Sequence, residues 1–136
     1  MIVAAKDLAV RYGRADSDAL SGVDLVLARG ELVAVAGPNG CGKTTLIRGL
    51  LGLTELARGA VLVEGRPLNS WRREDLAQLV ALVPQREETP FSWRVLEMVG
   101  FGRYARLGAL SPMSREDRRA VEEAMVRCDV AHLAHR

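Results

Sequence analysis

The sequence contains little of what several classes of protein require. Its 136 residues include two cysteines and 4% aromatic residues, and no uninterrupted apolar run exceeds five residues. The cysteines, Cys41 and Cys128, are typical of a reduced cytosolic chain rather than of a disulfide scaffold. The apolar runs are too short to span a bilayer, and the N-terminus lacks the basic region and long apolar core of a secretion signal. We therefore expect no direct insertion into a membrane.

An excess of charge of one sign is also lacking. Residues 1–68 contain 8 basic and 7 acidic side chains, and residues 69–136 contain 11 and 10. A nucleic-acid-binding protein would show a basic stripe, so we expect no nucleic acid as a partner. With 49% hydrophobic and 26% charged residues, the composition is that of one globular domain rather than of a disordered segment.

Apolar periodicity divides the chain into a strand-rich part, residues 1–85, and a mostly helical part, residues 86–136. The run LVAVA is typical of a strand buried on both faces. Ser114 and Asp117 form a near capping box at the start of the best-marked helix. The predicted strands are residues 2–12, 23–27, 32–36, 60–63 and 79–83, and the predicted helices are residues 43–51, 71–78 (with Ser70 as the N-cap), 94–104 and 114–128.

The segment GPNGCGKTT satisfies the pattern G-x-x-x-x-G-K-[ST] and lies between a predicted strand and a predicted helix. Its glycines allow the backbone to turn N–H groups inward around phosphate oxygens, and the N-terminus of the following helix adds to the attraction. Lys43 would bring a positive charge to the β- and γ-phosphates, and the Thr44 hydroxyl would ligate Mg²⁺. The predicted nucleotide-binding residues are Gly37, Pro38, Asn39, Gly40, Cys41, Gly42, Lys43, Thr44 and Thr45.

Cys41, within this loop, allows two interpretations. A thiol among inward-facing N–H groups at a helix N-terminus could be reactive and be modified readily. It can also be a small side chain that is tolerated at a variable position of the motif. The residues alone leave both interpretations open.

Four segments of the chain together resemble the ATP-binding subunits of ABC transporters. They are Tyr12, the loop GPNGCGKTT, the run VALVPQ that ends at Gln85, and FSWRVLEMVGFGRYARLG. The similarity is closest to importers of iron-siderophores, haem and cobalamin, as judged from VLEMVGFGRYARLG and the terminal DVAHLAHR. The resemblance implies an α/β P-loop NTPase core with an N-terminal antiparallel β part, followed from residue 86 by the start of a helical subdomain.

The resemblance also implies roles for individual residues. Tyr12 would stack on the adenine, although an aromatic residue of a strand can simply pack in the sheet. Gln85 would contact Mg²⁺ or the attacking water, although a glutamine after a strand-ending proline is otherwise an ordinary surface residue. The implied catalytic residues are Lys43 and Gln85, and the implied metal-binding residues are Thr44 and Gln85.

The cofactors and partners follow from the same resemblance. The implied cofactors are ATP and Mg²⁺. The implied partners are transmembrane permease subunits and a second copy of the ATPase subunit, arranged head to tail. Phe91 and Trp93 are candidates for contacts with the permease, although burial in a local core is a second possibility. The protein would lie in the cytoplasm, peripheral on the inner face of the plasma membrane.

The chain departs from the family pattern at its end. A signature of the LSGGQ type should follow AHLAHR almost directly, and neither it nor a Walker B strand, a catalytic glutamate or a switch histidine occurs. The strand expected beside the P-loop strand is missing too, which would leave an unpaired sheet edge. We therefore expect a C-terminally truncated ATPase that is inactive alone.

Three alternatives to a transport ATPase remain at this point. The first is a soluble ABC-type ATPase that is not coupled to transport, and the second is a nucleotide-binding fragment without catalysis. The third is a small P-loop kinase or GTPase, for which the guanine-reading motif N-K-x-D is missing from the sequence.

Overall fold

The computed structural model describes residues 2–85, 91–107 and 111–136, which belong to two compact units. The first unit is Met1–Arg72 and the second is Arg73–Arg136. The functional boundary expected at residue 85 stays a prediction. The first unit contains β1 (Val3–Val10), β2 (Leu20–Leu27), α1 (Lys43–Leu50), β3 (Arg58–Val63) and β4 (Arg66–Pro67), and the second contains α2 (Arg73–Ala77), α3 (Val95–Phe101) and α4 (Arg115–Arg127).

The strands of the first unit form an antiparallel sheet in the order β2-β1-β3-β4. β1 pairs on one edge with β2 and on the other with β3, so that Val3 lies opposite both Leu27 and Val63. A two-residue turn joins β3 to β4, and its residues Glu64 and Gly65 have φ of 49° and 75°. Positive φ at both positions matches the right-handed twist of a hairpin. The predicted N-terminal antiparallel β part is confirmed.

The core of the first unit joins β1 to α1. Leu8 of β1 has no exposed surface and belongs to one apolar cluster with Ala5, Leu46 and Val61. Leu46 lies on α1, so the helix is held against the sheet by its apolar face. Burial of each large apolar side chain contributes about 1.5–3 kcal/mol. This packing fixes the start of α1, where the glycine-rich segment ends.

Two predicted strands, residues 32–36 and 79–83, are wrong for the part of the chain that the structure describes. Neither segment belongs to the sheet, and Leu32 and Val83 are 95% and 92% exposed. A strand is stabilised by hydrogen bonds to neighbouring strands, and neither segment pairs with any of the four strands that the structure describes. Because no described strand supplies these hydrogen bonds, neither apolar run forms a strand.

The helix predicted over residues 71–78 is shorter than expected, because α2 spans only Arg73–Ala77. Ser70 is not its N-cap. It ends a 3₁₀ turn, Leu68–Ser70, where its hydroxyl donates to the Pro67 carbonyl at 2.6 Å and accepts from Arg66 Nε at 3.0 Å. The hydroxyl is thus engaged by residues that precede it and does not cap the following helix.

α4 begins at the predicted capping box. The Ser114 Oγ accepts from the Asp117 N–H at 3.1 Å, and the Asp117 carboxylate accepts from the Ser114 N–H at 3.0 Å. Arg103 Nε also donates to this carboxylate, at 2.9 Å. The hydrogen bonds from Ser114 and then Arg103 lower the pKa of Asp117 to about 2. The buried carboxylate therefore stays charged and paired, and Val121 and Met125 of the same helix are buried.

α3 lies within the region predicted to be helical and is capped by the end of the chain. The N–H groups of Val95 and Leu96 donate to the carbonyl oxygens of Arg136 and Ala134, at 3.0 and 3.1 Å. These bonds satisfy donors that have no partner inside a helix. Among all described residues the longest helix is α4, with 13 residues, and none of the helices combines the length and the apolar character that a membrane crossing needs.

Candidate nucleotide-binding site

Residues 37–42 form an exposed turn that leads into α1. Gly40 and Gly42 have φ of 82° and 94°, which residues with a Cβ rarely adopt. A Cβ on Gly42 would lie 3.1 Å from the Ala19 carbonyl oxygen and 3.2 Å from Leu20 Cδ1. The end of the turn is therefore held close to the start of β2. A Cβ on Gly40 would meet nothing within 4 Å, so a ligand can approach the backbone there.

Lys43, the first residue of α1, directs its ammonium group back across the turn. Its Nζ donates to the carbonyl oxygens of Gly37 and Pro38, at 2.8 and 2.7 Å, and lies 3.8 Å from Cys41 Sγ. The positive charge thus lies over the loop, where the motif predicts it. Charged acceptors bind an ammonium group more strongly than neutral carbonyls do, so a triphosphate would compete for Lys43.

The N-terminus of α1 is suited to an anion. Its N-cap is Gly42, which makes no side-chain capping bond, and its first turn contains no acidic residue. The first N–H groups of a helix have no partner inside the helix, and the helix dipole adds positive potential. This donor set, with Lys43, fits a chain of phosphates. Thr44 is exposed in the same turn, and its hydroxyl suits Mg²⁺, which prefers oxygen ligands.

Cys41 packs within the turn and also faces solvent. A Cβ on Gly37 would come within 2.8 Å of the Cys41 Sγ, and the thiol is free and exposed. A small side chain fits this position, and a reactive one would be reachable. Both interpretations of Cys41 therefore remain predictions.

The structure brings Tyr12 next to the helix that follows the loop. Its hydroxyl donates to Thr45 Oγ1 at 3.3 Å, although the two residues are 33 positions apart. Tyr12 is 43% exposed, so it is not simply packed in the sheet. An aromatic side chain therefore lies beside the predicted phosphate site. A role for Tyr12 at the nucleotide was expected from the sequence, whereas its contact with Thr45 was not.

Gln85 belongs to the second unit, where it is exposed at the end of the segment 79–85. Its contact with Mg²⁺ or with the attacking water stays a prediction. No group of three or more His, Cys, Asp or Glu residues that could hold a metal is found within residues 2–85, 91–107 and 111–136.

The second unit carries a groove that the sequence analysis missed. We call it the aromatic groove, and Trp93, Phe101 and Tyr104 line its cavity of about 440 Å³. The ring centroids of Trp93 and Phe101 are 5.0 Å apart, those of Phe101 and Tyr104 5.2 Å, and Phe91 lies 5.9 Å from Trp93. Phe91 and Trp93 are 66% and 42% exposed, so both are surface aromatics rather than core residues. The helical spacing of Phe101 and Tyr104 was the signal that could have indicated a common face.

Known proteins that match this chain identify its family. The family model described as ABC transporter matches residues 20–136. The hemin import ATP-binding protein HmuV of Streptomyces coelicolor is 39% identical over 100% of this chain and 47% of its own length. The chain spans about half the length, or less, of the curated relatives it matches.

Solved structures agree with this assignment. The ATP-binding subunit of an ABC transporter aligns with a TM-score of 0.74 and 28% identity, over 99% of this chain and 53% of that one. The ATP-binding cassette MJ0796, solved as a dimer with ADP and Pi, aligns with a TM-score of 0.79 and 23% identity, over 98% and 60% of the two chains. The expected α/β P-loop core is confirmed, and the small kinase or GTPase is excluded. The chain belongs to the ABC transporter family of ATP-binding proteins.

Proposed function

We propose that the chain is the nucleotide-binding part of an ATPase subunit that energises import of an iron-siderophore, haem or cobalamin-type solute through a membrane permease. The observation that carries this proposal is the position of Lys43, whose ammonium group lies over the carbonyls of Gly37 and Pro38 at an uncapped helix N-terminus. The hemin import named for the HmuV relative supports the solute class. ATP hydrolysis would be the activity of a longer protein that contains this part.

Each residue of the site has a distinct task in this proposal. The N–H groups at the start of α1 would hold phosphate oxygens, and Lys43 would exchange its two carbonyl acceptors for the β- and γ-phosphates. Thr44 would offer its hydroxyl to Mg²⁺, which neutralises phosphate charge when bound. Tyr12 would give the adenine a surface on which to stack. Gln85 would orient the ion or the attacking water.

The proposed partners are a second copy of the ATPase subunit, arranged head to tail, and the permease. Phe91 and Trp93 are our candidates for permease contacts, because exposed aromatic residues often anchor protein interfaces. The aromatic groove, which Trp93 lines, offers a concave surface with room for side chains of a partner. Through the permease, the protein would be held on the inner face of the plasma membrane.

We expect the 136-residue chain to bind Mg-ATP without hydrolysing it above the background rate. The sequence after Gln85 contains no apolar run that ends in Asp-Glu, and such a pair would supply the base for the attacking water. A ligand that binds only the folded state raises the unfolding temperature. Scanning calorimetry with and without Mg-ATP, combined with a phosphate-release assay, measures both properties. An unchanged unfolding temperature argues against binding, and turnover that Lys43→Ala abolishes argues against inactivity.

Association with the permease distinguishes an import subunit from a soluble ABC-type ATPase. We expect Trp93→Ala to weaken binding to vesicles that contain the cognate permease about 30-fold, because a central aromatic anchor can contribute 2 kcal/mol or more. Sedimentation with these vesicles, and with vesicles that lack the permease, provides the measurement. Leu53→Ala is the control, since Leu53 is 56% exposed and lies in the first unit. Equal sedimentation of the unmodified chain with both kinds of vesicle would favour the soluble ATPase.

A further inference from the structure

Tyr12 and Thr45 are joined by a hydrogen bond that the predicted roles of the two residues do not require. The Tyr12 hydroxyl donates to Thr45 Oγ1 at 3.3 Å, which connects the segment after β1 to the first turn of α1. Thr45 is partly buried, whereas its neighbour Thr44 is exposed. The two threonines of the motif are therefore in different surroundings, and it is Thr45 that hydrogen-bonds to the aromatic residue.

Arg48 takes part in the same contact from one turn further along α1. Residues three positions apart lie on the same side of a helix, so Arg48 and Thr45 both face the Tyr12 hydroxyl. The pKa of Tyr12 is lowered, first because the Thr45 hydroxyl can donate in turn to the ionised phenol, and further by the guanidinium group of Arg48. Two side chains of α1 thus interact with the Tyr12 hydroxyl and leave 43% of Tyr12 exposed.

We infer that Thr45 is a positioning residue, which holds Tyr12 through its hydroxyl so that the ring is placed for a nucleotide base before the nucleotide binds. This inference rests on the proposed nucleotide binding. A side chain that is already ordered loses less conformational freedom when the ligand arrives, and the binding is correspondingly tighter. Since α1 also presents the phosphate-binding N–H groups, a single helix would set both the base surface and the phosphate site.

The inference predicts that the two hydroxyl groups act as a pair. We expect Tyr12→Phe and Thr45→Val each to weaken Mg-ATP binding about fivefold, because the ring of either variant must be ordered when the nucleotide binds. The double variant should be no weaker than either single variant, since each substitution removes the same bond. Thr45→Ser, which keeps a hydroxyl, should restore most of the affinity.

Inorganic triphosphate separates this role from a direct contact between Thr45 and a phosphate. Isothermal titration of the 136-residue chain with Mg-ATP and with magnesium triphosphate gives both affinities for every variant. Thr45→Val should weaken ATP binding about fivefold more than triphosphate binding, because only ATP has a base to stack. Thr54→Val, outside the motif, is the control and should leave both affinities unchanged.

Three outcomes would decide against the inference. Equal weakening of ATP and triphosphate binding by Thr45→Val would assign its hydroxyl to the phosphates. Additive losses in the double variant would show that Tyr12 and Thr45 act independently. Both results leave the proposed function intact, whereas an unmodified chain that binds neither ligand would overturn the proposed function and the inference together.

Discussion

Replacing Lys43 with alanine is expected to weaken Mg-ATP binding about 10- to 150-fold, because a hydrogen bond to a charged group contributes about 1.5–3 kcal/mol. The ammonium group lies over the loop and contacts the carbonyl oxygens of Gly37 and Pro38, so it is already close to the expected phosphates. Lys43→Arg should rescue little, since a planar guanidinium cannot take the place of a compact charge between two neighbouring acceptors. Isothermal titration with Mg-ATP measures the loss.

The chain provides a matched control for this substitution. Lys6 is the only other lysine in the sequence, and it lies exposed on β1 opposite Ala60. Lys6→Ala removes the same charge and should change the affinity less than twofold, because charges that are far apart at the surface are screened by salt. Comparable losses for Lys6→Ala and Lys43→Ala would show that net charge, rather than the loop, attracts the nucleotide.

The phosphate loop was predictable because its information is local. The spacing from Gly37 to Thr44 specifies the turn, the lysine and the helix start within eight consecutive residues, and α1 begins at Lys43 as predicted. The capping box of α4 was predictable for the same reason, since Ser114 and Asp117 are three positions apart and contact each other. Motifs whose members contact one another along the chain need no knowledge of the rest of the fold.

The strands predicted at residues 32–36 and 79–83 depended on information that is not local. Their apolar residues are those of a buried strand, but a strand forms only where another strand supplies hydrogen bonds. In the described part of the chain the four-stranded sheet contains neither segment, and their side chains are largely exposed. Composition could indicate that these segments suit a sheet but not whether a neighbouring strand is present.

Contacts between distant residues were also beyond the sequence analysis. The hydrogen bond from Tyr12 to Thr45 depends on how β1 and α1 pack, and no spacing rule relates residues 33 positions apart. The aromatic groove is another example, because Trp93 and Phe101 face each other only once the chain turns into α3. The candidate residues could therefore be chosen from the sequence, whereas the contacts between them that support their proposed roles could not.

The middle of β1 contains an irregularity that the sequence did not indicate. The pairing of β1 shifts register between Ala5 and Leu8 against β2, and between Lys6 and Ala9 against β3. Asp7 lies at this point with φ of 47°, and its carboxylate accepts from Arg58 Nε at 2.6 Å, which lowers its pKa. A bulge places one extra residue in a strand, and here the backbone carbonyl of Asp7 lies close to Gly59 of β3.

Replacing Gly59 of β3 with alanine should therefore lower the free energy of unfolding of the chain by about 2–5 kcal/mol. Gly59 has φ of 86°, and a Cβ there would overlap the backbone carbonyl of Asp7. Backbone atoms cannot rotate away as a side chain can, so β1 and β3 would have to separate locally. Urea titration followed by circular dichroism measures the change.

Gly65→Ala isolates the steric part of this effect. Gly65 also has a positive φ, 75°, but a Cβ there would meet nothing within 4 Å. Gly65→Ala should therefore lower the free energy of unfolding only by the cost of the positive φ, about 1–2 kcal/mol. The difference between the two variants then measures the contact between Gly59 and Asp7. Equal destabilisation would mean that β1 and β3 move apart at little cost, and that the bulge does not hold β1 against β3.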